Sequence, residues 1–182
     1  MSIKKWETTD SQYIIKRPWL TARCDTVKLP DGRTNSEYYI LEYPTWVNVI
    51  AITEEGTYLM VRQYRHGLKD IFTELVAGVV EEGEEPLAAA QRELLEETGY
   101  SGGSWELLTV LSQNPSTTTN LTYCFVVTGV KKTGNQKLDE TEDIEIAHLS
   151  ETEIKAMLVN DEMKQSLMAA PLWKHFYLKE KP

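Results

Sequence analysis

Cysteine is scarce in this sequence: only Cys24 and Cys124 occur, and that spacing offers neither a metal-ligand pair nor a disulfide framework. Histidine is equally sparse. His66, His148 and His175 stand apart from one another, which removes an imidazole metal cluster or a paired nucleophile from the candidates. Basic side chains are outnumbered, with 19 lysines and arginines against 28 aspartates and glutamates and a formal net charge of −9. Such a field opposes nucleic acid and anionic membrane surfaces. No apolar run approaches the roughly 20 residues needed to span a bilayer, and "MSIKKWETTD" lacks the apolar stretch of a secretory leader. The expectation is a cytoplasmic protein without nucleic-acid or membrane partners, acting on a small ligand that is cationic or bridged by metal. At 182 residues and 41% hydrophobic content, the chain is long enough to bury a sizeable core.

Short apolar or alternating runs fill the first half. "YIIKRPWLTARCDTV" and "EYYILEY" flank Pro30-Asp31-Gly32 and predict a hairpin-like pair. "TWVNVIAIT" and "TYLMVRQYR" flank Glu54-Glu55-Gly56, and their β-branched and aromatic content predicts paired strands. Three further strands are expected at "SWELLTVLS", "LTYCFVVTG" and "DIEIAHLS". The last part changes character, because "SETEIKAMLVN" and "DEMKQSLMAAPLWKHF" space their apolar residues as amphipathic helices do, with Pro171 expected to break or kink the second.

Residues 78–100, "GVVEEGEEPLAAAQRELLEETGY", combine glycine punctuation with abundant glutamate. Pro86 suits a first helical turn and Gly99 a left-handed stop, so a helix over 86–98 is predicted. At 3.6 residues per turn, Glu93, Glu96 and Glu97 share one face beside an apolar stripe of Leu87, Ala90 and Leu94. Like charges at these spacings destabilise a helix by about 0.2–0.5 kcal/mol per pair. A hard divalent cation held through oxygen ligands would relieve that repulsion. An acidic helix is commonly just a solvated face, but the glycine-led loop between "FTELVA" and the helix brings a strand, a loop and the acids to one point.

Gly78, then Glu84, then Arg92-Glu93-Leu94-Leu95-Glu96-Glu97-Thr98-Gly99-Tyr100 resembles the Nudix box, departing only at Tyr100, where the family usually carries an aliphatic residue. "MVRQYRHGL", "TELVAG" and Pro115 extend the resemblance to the ADP-ribose pyrophosphatase branch. It implies an α/β fold, a Nudix α/β/α sandwich around a mixed sheet, with an N-terminal β extension over 1–45 and the hydrolase domain over 46–182. In that branch the extension exchanges strands between subunits, so a homodimer is expected.

The implied reaction is Mg²⁺-dependent hydrolysis, with Mn²⁺ as the alternative metal, of the diphosphate bond in a nucleoside diphosphate sugar. ADP-ribose split to AMP and ribose 5-phosphate heads the expectations, with GDP-mannose or another nucleotide sugar second and a non-catalytic Nudix-fold ligand sensor as the alternative of another class. Metal ligation falls to Glu93, Glu96, Glu97 and the Ala77 carbonyl. Arg92 is expected to hold nearby carboxylates rather than touch substrate, since a bidentate fork orients them well. Arg65 and Glu74 are the substrate-binding candidates implied by the branch, and Trp19 is a base-stacking candidate or else a core or interface tryptophan. The acidic run Asp139, Glu140, Glu142 and Asp143 precedes a strand. By resemblance Glu140 is the first candidate for general base and Glu142 the second, with Glu96 in the box behind them.

Overall fold

The computed structural model describes residues 2–181; Met1 and Pro182, the outer ends of the two expected domains, lie outside the described residues. Contacts divide the chain into two units, one taking residues up to Pro44 together with Ser112–Asn120, the other Thr45–Leu111 together with Leu121 onward.

The first unit is an antiparallel sheet of β1 (Glu7–Arg17), β2 (Leu20–Lys28) and β3 (Thr34–Glu42), in that order. The run "YIIKRPWLTARCDTV" is therefore not one arm of a hairpin but two. Pro18 and Trp19 form the turn between them, because proline has no N–H to give a ladder. Polar side chains cross-brace the sheet: Arg23 pairs with both Asp25 and Glu42, and Ser11 Oγ donates to Asp25 at 2.7 Å. The segment 112–120 joins this unit through backbone bonds, Leu41 N–H to Thr117 O at 2.7 Å and Thr119 N–H to Leu41 O at 3.2 Å.

The second unit holds the mixed sheet. Its strands are β4 (Trp46–Thr53), β5 (Tyr58–Arg65), β6 (Asp70–Glu74), β7 (Val76–Val79), β8 (Tyr100–Leu111), β9 (Thr122–Lys132) and β10 (Ile144–Leu149). Their order is β10-β5-β4-β9-β8, with β6 on β5 and β7 on β4; β4 and β9 run parallel and the other pairs antiparallel. The helices are α1 (Pro86–Thr98), α2 (Glu151–Val159) and α3 (Ser166–Lys179). Strand periodicity sorts them onto opposite faces. Val47, Val49 and Ala51 of β4, with Leu59 and Val61 of β5, pack with Ala89, Ala90 and Leu94 of α1. Ile50, Tyr58 and Met60 pack instead with Ile154 and Leu158 of α2 and Leu172 and Phe176 of α3. Both faces are covered, which is why β4 carries apolar side chains on both sides, with Asn48 the polar exception in its middle. The expected α/β/α sandwich is present.

Two local expectations change. β4 and β5 pair directly only at Ala51↔Leu59 and Ile52↔Tyr58. Beyond that tip they diverge, and "FTELVA" breaks at the fully buried Leu75 so that β6 serves β5 and β7 serves β4. Nor does Pro171 interrupt α3. The carbonyl it leaves without a helical donor is that of Leu167, four residues back, and the buried Asn48 amide of β4 donates to that oxygen at 2.6 Å.

Candidate active site

α1 begins with Pro86 in its first turn and ends at Gly99 (φ 73°), whose N–H bonds Leu95 O at 2.8 Å. Within those limits, Ala89, Ala90, Leu94 and Glu97 face the core, while Leu87, expected in the apolar stripe, is 40% exposed. Apolar and acidic faces thus overlap. Glu97 follows Leu94 by three positions and Ala90 by seven, so it enters the interior with them.

The turn before α1 is organised by Arg92. Its Nε and Nη2 fork onto the Glu84 carboxylate at 3.0 and 2.9 Å, Nη2 also donates to Val79 O at 2.9 Å, and Nη1 reaches Glu93 at 2.8 Å and Glu96 at 3.0 Å. Glu84 Oε2 in turn accepts from Glu81 N–H at 3.0 Å, closing the loop onto itself. The guanidinium, with its pKa raised first by the Glu84 bonds, is a permanent cation that neutralises part of the acidic face. Gly78 lies directly beneath the Glu93 carboxyl.

Glu97 is 3% exposed, and its carboxylate accepts from Ala77 N–H at 3.3 Å. Burial, then the charge of Glu93, push its pKa up to about 8, with Glu142 adding to the shift and Arg65 opposing it. Glu93 is also raised, by burial first. On β5 and β6, Arg65 and the buried Glu74 form a bidentate pair, Nε to Oε2 at 3.0 Å and Nη2 to Oε2 at 2.6 Å with Nε to Oε1 at 3.2 Å. Arg65 thus binds Glu74 directly, and its charge opposes the rise at Glu97.

Of the acidic run before β10, Glu142 is the member whose charge raises both Glu93 and Glu97. Its Oε2 accepts from Asp139 N–H at 3.0 Å, and its own N–H bonds Asp139 O at 3.0 Å. Glu140 is exposed on the same loop. Trp19 belongs to the first unit, where it is 85% exposed at the β1–β2 turn. Sequence reasoning missed the attachment of this loop to α1. Lys137 N–H bonds Glu96 O at 2.8 Å and Gln136 Nε2 bonds Glu97 O at 2.7 Å, and no residue pattern marks a glutamine in a polar loop as special.

Among the described residues, no three His, Cys, Asp or Glu side chains are gathered tightly enough to hold a metal ion, and Arg92 pairs with both Glu93 and Glu96. The donor chemistry nevertheless suits one. A buried carboxylate with a single N–H donor and acidic neighbours stays ionised only beside a cation, and a set composed of carboxylate and carbonyl oxygen matches a hard divalent ion such as Mg²⁺.

A NUDIX domain model matches residues 42–169, and a nucleoside diphosphate sugar hydrolase N-terminal domain model matches residues 6–41. The chain is 36% identical over 145 residues to a methanol dehydrogenase activator from Bacillus methanolicus, covering 79% of this chain and 78% of that protein. It is 34% identical over 127 residues to an ADP-ribose pyrophosphatase from Bacillus subtilis, covering 69% and 68%. An ADP-ribose pyrophosphatase from Mycobacterium tuberculosis is 29% identical over 143 residues, covering 78% and 69%. In fold, the chain is similar to a crystal structure of an ADP compounds hydrolase, with a TM-score of 0.86 over 98% of this chain and 97% of that one at 20% identity.

Proposed function

Because the chain belongs to the Nudix family of hydrolases, we propose that it splits the diphosphate bond of a nucleoside diphosphate sugar, with ADP-ribose cut to AMP and ribose 5-phosphate as the preferred reaction. The observation that carries this reading is Glu97, a buried acid among acids. A diphosphate is doubly anionic near neutral pH, so it enters such a site only with a cation between the two. The ADP-ribose pyrophosphatases among the relatives and the match of residues 6–41 to a nucleoside diphosphate sugar hydrolase domain supply the substrate class.

Glu93, Glu96 and Glu97, with the Ala77 carbonyl, would hold Mg²⁺, which supplies charge neutralisation and Lewis acidity at the phosphate when bound. Arg92 keeps Glu84, Glu93 and Glu96 in position, and so is a support of the site rather than a contact with substrate. Arg65, anchored along one edge by Glu74 and still partly exposed, has donors left for a phosphate oxygen, which recognises a doubly charged oxygen-rich group well. Trp19, exposed as it is, is suited to stacking on a base.

In the chemical step, the oxygen of a water attacks phosphorus, its proton passes to a carboxylate, and the bridging P–O bond breaks so that the leaving phosphate departs with the bridging oxygen. The resemblance puts Glu140 first; we place Glu142 ahead of it, because the Glu142 carboxylate is held by Asp139 N–H at 3.0 Å and its charge adds to the rise at both Glu93 and Glu97.

The assembly we propose is a homodimer. All eleven residues of β1 are exposed, Tyr13, Ile14 and Ile15 among them, on an edge strand that pairs only with β2. Long edge strands with apolar side chains are normally covered.

The reading is tested by incubating the protein and Mg²⁺ with ADP-ribose, GDP-mannose, UDP-glucose, NADH and diadenosine polyphosphates, then identifying products by chromatography. AMP and ribose 5-phosphate are expected from ADP-ribose. If a folded, Mg²⁺-loaded protein binds one of these nucleotides yet cleaves none, the reading is lost in favour of a ligand sensor.

A further inference from the structure

The segment between β9 and β10 does more than connect two strands. An α-helix leaves its last carbonyls without helical donors, and in α1 these are the carbonyls of the turn that carries Glu96 and Glu97. The segment supplies the donors. Thr133 N–H and Gly134 N–H reach Gly99 O at 2.9 and 3.0 Å, and Lys137 N–H reaches Glu96 O at 2.8 Å. Gln136 contributes through its side chain: one Nε2 group donates to Glu97 O at 2.7 Å and to Ile144 O at 3.1 Å.

That last pair of bonds has a particular topology. Gln136 immediately precedes residues 137–143 and Ile144 immediately follows them. One amide therefore closes the neck of the acidic loop and fastens the closed neck to the helix turn bearing Glu97. Leu138 anchors the same loop from inside by packing on the α1 face of the core. Glu142, two residues before Ile144, exchanges bonds with Asp139 across the loop, so its place relative to Glu93 and Glu97 is tied to the neck.

Resting on the hydrolase reading above, we propose that Gln136 is a positioning residue: its side-chain amide clasps residues 137–143 to the C-terminal turn of α1 and so sets the proton-accepting carboxylate of the loop against the metal-holding carboxylates of the helix. The role needs a donor with reach to two carbonyls at once. A glutamine amide nitrogen, with two N–H bonds, meets that need.

Two variants remove the clasp by different means. Gln136→Met keeps the length and loses both donors, and Gln136→Asn keeps the donors one methylene short of the carbonyls. Gln136→Lys returns a donor with reach to both. We expect the Met and Asn variants to lose about 10- to 100-fold in kcat, the scale of a misplacement near 1 Å, with KM for the nucleotide sugar and the Mg²⁺ midpoint within about twofold of wild type. Amide hydrogen exchange in 137–143 should rise at least about tenfold while exchange in β4 stays slow. Gln136→Lys should recover most of the lost kcat and the slow exchange.

Unchanged loop exchange in both the Met and Asn variants overturns the proposal, as does a loss of kcat that follows a general fall in Tm and that Gln136→Lys does not reverse. The exchange measurement needs no substrate, so it tests the clasp even if every nucleotide sugar proves inert. Inert wild-type protein with an intact, Gln136-dependent clasp would count against the hydrolase reading alone.

Discussion

Gly78 and Glu93 are in such close apposition that a Cβ on residue 78 would overlap the Glu93 carboxyl group. Gly78 does not adopt a positive φ, so what requires glycine here is space and not backbone freedom. Gly78→Ala should push Glu93 off its present position beside Arg92 and lower turnover by about two orders of magnitude, with weaker Mg²⁺ binding by calorimetry. Wild-type Mg²⁺ affinity in a folded Gly78→Ala protein would show that Glu93 does not hold the metal.

Glu97→Gln removes a buried acid whose charged form burial and Glu93 both disfavour. Turnover should fall by about two orders of magnitude or more, while the chelator-treated protein should melt higher than wild type because an acid that folding forces to take up a proton or carry a buried charge is gone. Mg²⁺ should raise Tm of the wild type, as any ligand selective for the folded state does, and raise that of Glu97→Gln much less. Paired thermal melts with and without Mg²⁺ read both effects.

Glu142→Gln should reduce kcat by roughly 10²–10⁴-fold, the usual contribution of a general base, and leave metal affinity nearly unchanged. Glu140→Gln should cost less. Rapid-quench turnover of the two variants ranks them, and a Glu142→Gln protein as fast as wild type would return the proton-accepting role to Glu140 or to Glu96.

Away from the acids, β5 and α3 meet through a buried polar pair: Tyr58 and His175 Nε2 lie 3.0 Å apart, with Lys179 and Glu151 also on the Tyr58 hydroxyl and Lys155 on Glu151. Burial first, then Lys179, lower the pKa of His175. The unfolded chain consequently takes up a proton at this histidine at higher pH than the folded protein does. Its stability contribution is fully present above a pH of about 6.5 and declines as pH falls below it. Glu97 and Glu93, whose pKa values are raised, work in the opposite direction across this range in wild type and His175→Gln alike, so the effect is read as a difference. Urea titrations between pH 5 and 8 should show the stability of wild type relative to His175→Gln declining as pH falls below about 6.5. Tyr58→Phe should cost about 1–3 kcal/mol by stranding the buried ring nitrogen.

The exposed Ile14 of β1 offers a test of assembly. Light scattering at micromolar protein should give twice the chain mass, and Ile14→Glu should shift it toward one chain mass by placing a charge on the edge strand. A wild-type protein at single-chain mass would remove the dimer from the reading.

The limits of α1, its acidic face and the glycine-punctuated loop before it were legible from the residues alone. Proline, glycine and 3.6-residue periodicity act over a few positions of chain and need no partner from elsewhere. The strand character of β4 and β5 was equally plain from their β-branched and aromatic content. Other features depended on residues far apart in sequence. Pro171 passes through α3 unbroken because Asn48, on a central strand, reaches the Leu167 carbonyl. β4 and β5 part after two residue pairs because β6 and β7 take up their remaining edges. The overlap of acidic and apolar faces that buries Glu97, and the rise of its pKa to about 8, arise where β7, α1 and the loop before β10 converge. Local pattern determines what a segment can form; sheet order decides which segments meet, and desolvation and Coulomb interactions exist only between groups that meet.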